Sequence, residues 1–243
     1  MKKVFVQTKN GLAINADIQN AIDGFEYLGY DIKCITLENI FSGTMDYAAQ
    51  NNPFVCSIDG MRKILFNIKK TPAPMDFPKE IVESELVGRV VLKMFLHEAM
   101  NKFETTGVPL FVKPVVTKIF DGILLTKKED LNYFGLMSIN PEVYISEKIN
   151  IVSEHRVYVH HGKMVHCCCY DGDFKLSPDY TYIDKMISVY KSAPVAYTID
   201  VAILDDGRNV LMEINDFWAI GSYGLKSWDY AQMLADRYNE IIQ

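Results

Sequence analysis

Polar and apolar positions in the first third of the chain follow two different periods. KVFVQ, residues 3–7, reads as a strand. Apolar side chains then recur at Ile18, Ala21, Ile22, Phe25 and Leu28, the spacing of one helix face, and Gly29 is a suitable stop. DIKCITL returns to a strand pattern, and Ile58–Ile68 has helical spacing. A strand, helix, strand opening predicts a small α/β lobe. TPAPMDFP, at 71–78, holds three prolines in eight residues and marks a linker. The expected division is therefore 1–75 and 76–243.

Beyond the prolines the pattern becomes β-rich. GRVVLKMF (88–95) predicts a strand and Leu96–Thr105 a helix, ended by Gly107-Val108-Pro109. PLFVKPVV is a strand interrupted by Pro114, which places that residue at a sheet edge or at the end of its pairing. GILLT, VYISEKI, HRVYVHH, KMVHCCCY, YTIDVAIL and NVLMEIN are further strands; Tyr182–Ser192 and Lys226–Ile242 are helices. The expected fold class is α/β (α+β).

Composition narrows the picture. The 243 residues are 49% hydrophobic and 23% charged, enough to bury a sizeable core, with a formal net charge of -6. That balance disfavours, without excluding, a nucleic-acid partner. No apolar run approaches the ~20 residues of a membrane helix. MKKVFVQTKNG turns polar too early for a secretory signal, so a cytoplasmic location is expected. Oligomeric state leaves no mark. Five cysteines, three of them consecutive at Cys167–Cys169, do not suggest a disulfide framework. Neighbours on a strand face opposite ways, so the triplet cannot converge on one ion. The nearby histidines alternate in the same way.

YTIDVAILDDGRNVLMEIND carries the chemistry. A two-residue turn at Asp206-Gly207 opposes Ile203 to Val210 and Asp200 to Glu213, with Asn215 on the face of Glu213. Facing acids on an apolar sheet destabilise it. Three readings fit: a Mg²⁺ site of hard oxygen ligands, which points to a Mg–nucleotide complex; a slipped register that separates the acids; or basic partners for Asp200 and Glu213 on an exposed face. A second hairpin turns through His161-Gly162 and puts Glu154, Arg156, Tyr158 and His160 on one face. There Arg156 suits an anion, or lies solvated beside Glu154. Lys113 is a lone strand lysine bounded by prolines, placed for phosphate contact or for snorkelling.

FVKP, TKIFDG, a strand ending in SE, SEHRVYV-x-x-GK, TIDVAIL-DDG and LMEIND-x-W-x-x-G-x-YGL occur in that order. Over Leu86–Leu225 this series resembles the ATP-grasp superfamily, above all a compact bacterial and phage group. The resemblance implies two α+β lobes clasping ATP, a nucleotide lobe at about 86–150 and a metal-binding lobe at about 151–243, after a Rossmann-like lobe. It implies ATP and Mg²⁺ (or Mn²⁺) as cofactors. The implied reaction activates a carboxylate as an acyl phosphate, passes it to an amine or other nucleophile, and releases ADP and phosphate. By the same resemblance Lys113 contacts ATP; Glu147, Lys148 and Ile149 lie at the adenine edge, and Glu154 near the ribose. Arg156 faces the transferred phosphate. Asp200, Glu213 and Asn215 hold the metal, and Arg89 and Lys118 are further basic positions. The family's glycine-rich loop is not evident; Val115–Gly122 stands where it would be. Phe217–Leu225 becomes a loop on the substrate side. Two rivals remain. KIFDG is one residue longer than the KxDG of covalent nucleotidyltransferases, in which Lys118 would take AMP, and a non-catalytic ATP-binding module fits the same strands.

Overall fold

The computed structural model describes residues 2–42, 51–116, 119–135 and 137–243. The first lobe holds β1 (Lys3–Lys9), β2 (Leu12–Ala13), α1 (Ala16–Tyr27), β3 (Asp31–Ile35), α2 (Leu37–Ser42), β4 (Phe54–Val55) and α3 (Ile58–Asn67). β1 is its axis, pairing parallel with β3 and β4 and antiparallel with β2. Asn15 caps α1, its side chain accepting from the Ile18 amide at 2.9 Å, and Gly29 leaves the helix at φ 76°.

After the proline strap and α4 (Lys79–Glu83) come β5 (Val91–Phe95), α5 (Leu96–Thr106), β6 (Leu110–Pro114), β7 (Ile123–Leu125), a 3₁₀ segment at Lys128–Phe134 and β8 (Glu142–Glu147). Their antiparallel sheet runs β5-β8-β6-β7. β6 lies inside it, yet Pro114 pairs only with Val143 and is the strand's last residue, so no ladder bond is missed. The third unit has β9 (Ile151–His160), β10 (Lys163–Gly172), α6 (Tyr180–Val189), β11 (Ala196–Leu204), β12 (Asn209–Asp216) and α7 (Ser227–Ile242), in the sheet order β10-β9-β11-β12.

All nine residues of β11 are buried. On one face Ile199 and Val201 pack with Val157, Leu211, Ile183 and Met186 under α4 and α6. The other face carries Ala196, beside Tyr158, Phe217 and residues of α1 and α7, and further along Asp200. The cysteines obey the alternation: Cys167 packs on the first of these faces and Cys168 on the second.

The β11–β12 turn differs from expectation. The Leu204 amide donates to the Arg208 carbonyl and the Gly207 amide to the Leu204 carbonyl, both at 2.9 Å, so the loop is Asp205-Asp206-Gly207. Gly207 takes φ 85°, as a three-residue hairpin loop requires. The longer loop shifts the register, and Ile203 faces Asn209 rather than Val210. A bulge between Asp200 and Val201 leaves Met212 as the extra residue and restores the opposition of Asp200 and Glu213. The histidine alternation also fails, because His161 sits in the turn at φ 49°. Both His160 and His161 reach Asp236 of α7, at 2.9 and 3.5 Å.

α1 and α7 cross closely at Gly24, where an added Cβ would lie 1.9 Å from the Ser227 carbonyl oxygen. Helix propensity alone predicts that Gly24→Ala stabilises the chain by up to ~1 kcal/mol. The crossing predicts the opposite, a loss of roughly 2 kcal/mol or about 4–8 °C in Tm, measurable by thermal unfolding; a rise in Tm would refute the close contact.

Candidate active site

A cavity of about 190 Å³ opens between the sheets β5-β8-β6-β7 and β10-β9-β11-β12. Lys113, Asp200, Glu213 and Glu154 line it, with Arg89 and the aromatic wall of Phe77 and Tyr144. Those two rings meet edge to face with centroids 4.9 Å apart, and the Arg89 guanidinium lies 5.9 Å from the Phe77 centroid.

Asp200 is 1% exposed. Arg156, its register partner on β9, donates to both carboxylate oxygens, at 2.8 and 2.6 Å. A forked guanidinium is the best counter-ion for a carboxylate at such depth. Arg156 is itself held over Tyr223 and Tyr170, 4.8 and 5.3 Å from their centroids. Burial still pushes the Asp200 carboxyl up to about 6; Arg156 pulls it down, and Glu213 and Glu154 add to the rise.

Glu213 accepts a short ion pair from Lys113 and a 2.8 Å bond from the Asn215 amide nitrogen. Burial would raise this acid, but Lys113 and Asn215 outweigh it and its carboxyl lies below the ordinary range. The Lys113 ammonium also binds Asp76, at 2.5 Å. Burial works against the charged ammonium, but Glu213 and Asp76 prevail and its pKa rises. For Asp76 burial prevails over Lys113, and the carboxyl is raised.

Asp76 belongs to the strap that the sequence marked as a linker. It is 3% exposed, pairs with Ile214 in an isolated bridge, and accepts from the Ile214 amide through its backbone at 2.9 Å. Its signal was a lone acid flanked by Met75 and Phe77 in an otherwise apolar, proline-rich stretch. Tyr170 and Tyr223 were missed too.

The donor set suits a hard dication. Asp76, Asp200 and Glu213 set against Lys113 and Arg156 leave one formal negative charge in excess. Oδ2 of Asp76 is buried without a hydrogen-bond partner. Carboxylate oxygens are what Mg²⁺ or Mn²⁺ prefers. Asn215 turns its nitrogen towards both acids, at 2.8 Å from Glu213 and 3.4 Å from Asp200, so its oxygen would serve a cation only with the amide turned over.

The remaining predicted residues are spread around this centre. Arg89 spends its guanidinium on Ser146 Oγ at 2.5 Å and on the Leu211 and Met212 carbonyls at 3.2 and 3.4 Å, joining the two sheets. Glu154 accepts from the Tyr170 hydroxyl at 2.5 Å. Glu147 is exposed at the end of β8 and accepts from the Val90 amide at 3.2 Å, and Lys148 is exposed on the connection to β9. Ile149 packs against Ala202, Leu204 and Val210. Lys118 lies outside the described residues. Phe217–Leu225 is a packed connector: Phe217 and Leu225 enter the core, the Ser222 amide donates to Asp17 of α1 at 2.8 Å, and Tyr158 donates to the Gly221 carbonyl at 2.8 Å.

No helix among the described residues is long and apolar enough to cross a membrane. A comparison with curated proteins returned no match. Solved structures share the fold at low identity. A D-alanine–D-alanine ligase from Bacillus anthracis complexed with ATP superposes with a TM-score of 0.62 at 14% identity, over 100% of this chain and 99% of that one. The D-cycloserine synthetase DcsG gives 0.64 at 13%, over 97% and 99%. N5-carboxyaminoimidazole synthetase from Staphylococcus aureus gives 0.59 at 13%, over 98% and 78%. The family model described as ATP-grasp domain, R2K clade family 2, matches residues 86–233, more than half of the chain, and the protein belongs to that family.

Proposed function

We propose that the chain is an ATP- and Mg²⁺-dependent ligase that joins a carboxylate to an amine or other nucleophile through an acyl phosphate. The observation that carries this reading is the convergence of Glu213 and Asp76 on Lys113, with Asp200 held by Arg156 opposite Glu213, beside the cavity between the two sheets. Membership of the ATP-grasp family supports it, with the division near Met75 and Asp76 retained as part of it.

In this reading the nucleotide base lies against the wall of Phe77 and Tyr144, near the backbone of Glu147, Lys148 and Ile149. Glu154 receives the ribose. Asp200 and Glu213, with Asn215 turned over, hold Mg²⁺, which would neutralise charge on the phosphates. Lys113 and Arg156 then have phosphate oxygens as alternative partners to the acids they bind here. Arg89 positions the two sheets. A substrate carboxylate oxygen attacks the γ-phosphorus and the bond to ADP breaks. The amine attacks the acyl carbon, the C–N bond forms, the C–O bond to phosphate breaks, and the amine proton leaves. This chemistry asks the protein for positioning and electrostatics, which the cluster offers.

Glu213→Gln should lower ADP formation on the order of 100-fold or more while the chain stays folded. ADP release within a few-fold of the parent would sink the metal assignment, and AMP as the product would favour the Lys118 nucleotidyl route. Lys113→Met leaves Asp76 and Glu213 facing each other. It should cost roughly 2–3 kcal/mol in the metal-free protein, the low side for a broken buried pair because Glu213 is partly exposed. Mg²⁺ or Mn²⁺ should then raise the melting temperature of this variant more than that of the parent; equal shifts would contradict the charge argument.

A further inference from the structure

A second cavity, of about 590 Å³, lies between α3, the proline strap and the segment after β12. It meets the first cavity at the acid cluster. Asp200 and Glu213 line the first, and Asp76 and Asn215 line the second. If the nucleotide occupies the first cavity, as proposed above, the group that receives its phosphate must reach the cluster from the second. That step rests on the proposed function; the character of the walls does not.

Those walls are mostly apolar, with Arg62 of α3 and the acids Asp76 and Asp216 set among them. Ile58 and Phe66 come from α3, Met75 from the strap, and Val116 and Trp218 from opposite sides. Phe66 is 70% exposed and Val116 54%. Large apolar groups gathered on one concave wall mark a place where apolar ligand surface is taken from water. The charged groups on this side already have partners: Arg62 is engaged within the protein, Asp216 is held by Arg237 at 2.7 and 2.5 Å, and Asp76 by Lys113. A highly charged substrate body would find little to replace its hydration along the outer wall, whereas an aromatic or branched aliphatic body would find Phe66 and Trp218.

We infer that the acid activated by this protein carries a bulky apolar body, aromatic or branched aliphatic, which lies in the second cavity with its carboxylate directed to the Lys113 ammonium, where Asp76 and Asn215 close the cavity. A hydrophobic pocket discriminates about 10-fold or more for each methylene it can cover. Phenylalanine, leucine and 3-phenylpropanoate should therefore surpass alanine and aspartate by at least that factor.

The test uses these five acids with Mg²⁺–ATP and hydroxylamine as a general nucleophile, reading ADP and hydroxamate. Binding is read separately from Trp218 emission in a Trp228→Phe background, which leaves one of the chain's two tryptophans. The expected result is an emission change at ≥10-fold lower concentration of the apolar acids. Phe66→Asp should weaken it at least ~5-fold and Phe66→Leu should largely retain it, with Tm as the check on folding. Alanine or aspartate performing as well, no emission change with any acid, or indifference to Phe66→Asp would each overturn the inference. Emission changes with apolar acids but no ADP would leave the cavity's preference for apolar acids standing and remove the ligase reading. ADP formed best with small polar acids would do the reverse.

Discussion

An ionised carboxylate sits on a strand that has no exposed residue, and the rest of the site follows from that constraint. Asp200 lies between β9 and β12, cut off from bulk water, where an unpaired charge costs several kcal/mol. Arg156 opposes it on β9 and offsets part of that cost with two hydrogen bonds. Glu213 opposes it on β12 and adds to it. The structure answers by sending a cation from a different sheet. Lys113 crosses from β6 to Glu213, and Asp76 is drawn in behind it. Aromatic rings of β10 and of the segment after β12 cover the guanidinium.

Much of this was legible in the sequence because hairpins are local. DDG and HHGK each mark a turn, and alternation puts Arg156 on its own apolar strand; the expected opposition of Asp200 and Glu213 holds because the third loop residue and the bulge at Met212 cancel. The error near the first turn shows the limit of that reasoning. Asp-Gly is compatible with loops of two or three residues, and only the backbone bonds of Leu204 decide between them. The histidines misled for a related reason, since alternation holds along a strand and not through its turn.

What was not legible is long-range. Nothing about MDFP announces that Asp76 pairs with a lysine on a later strand, or that its backbone extends the ladder at Ile214. A lone strand lysine is equally consistent with an exposed ammonium until its partners are known. The segment Phe217–Leu225 was placed on the substrate side, and Trp218 does line a cavity there. Its ends, however, are core. Asp17 and Ser222 bind the first lobe to the third unit, so one short stretch both covers a cavity and fixes how the lobes meet.

The bulge at Met212 works as a phase inverter. Before it, Leu211 points into the aliphatic core; after it, Ile214 does, although three positions separate them and strict alternation would send them opposite ways. Met212 and Glu213 consequently both line the cavity between the sheets. Were Met212 paired in regular register instead of bulged, the end of β12 would present Ile214 to the cavity and bury Glu213 and Asn215 among leucines and isoleucines. The polarity of the whole site hangs on the parity of one strand, not on the identity of its acids alone.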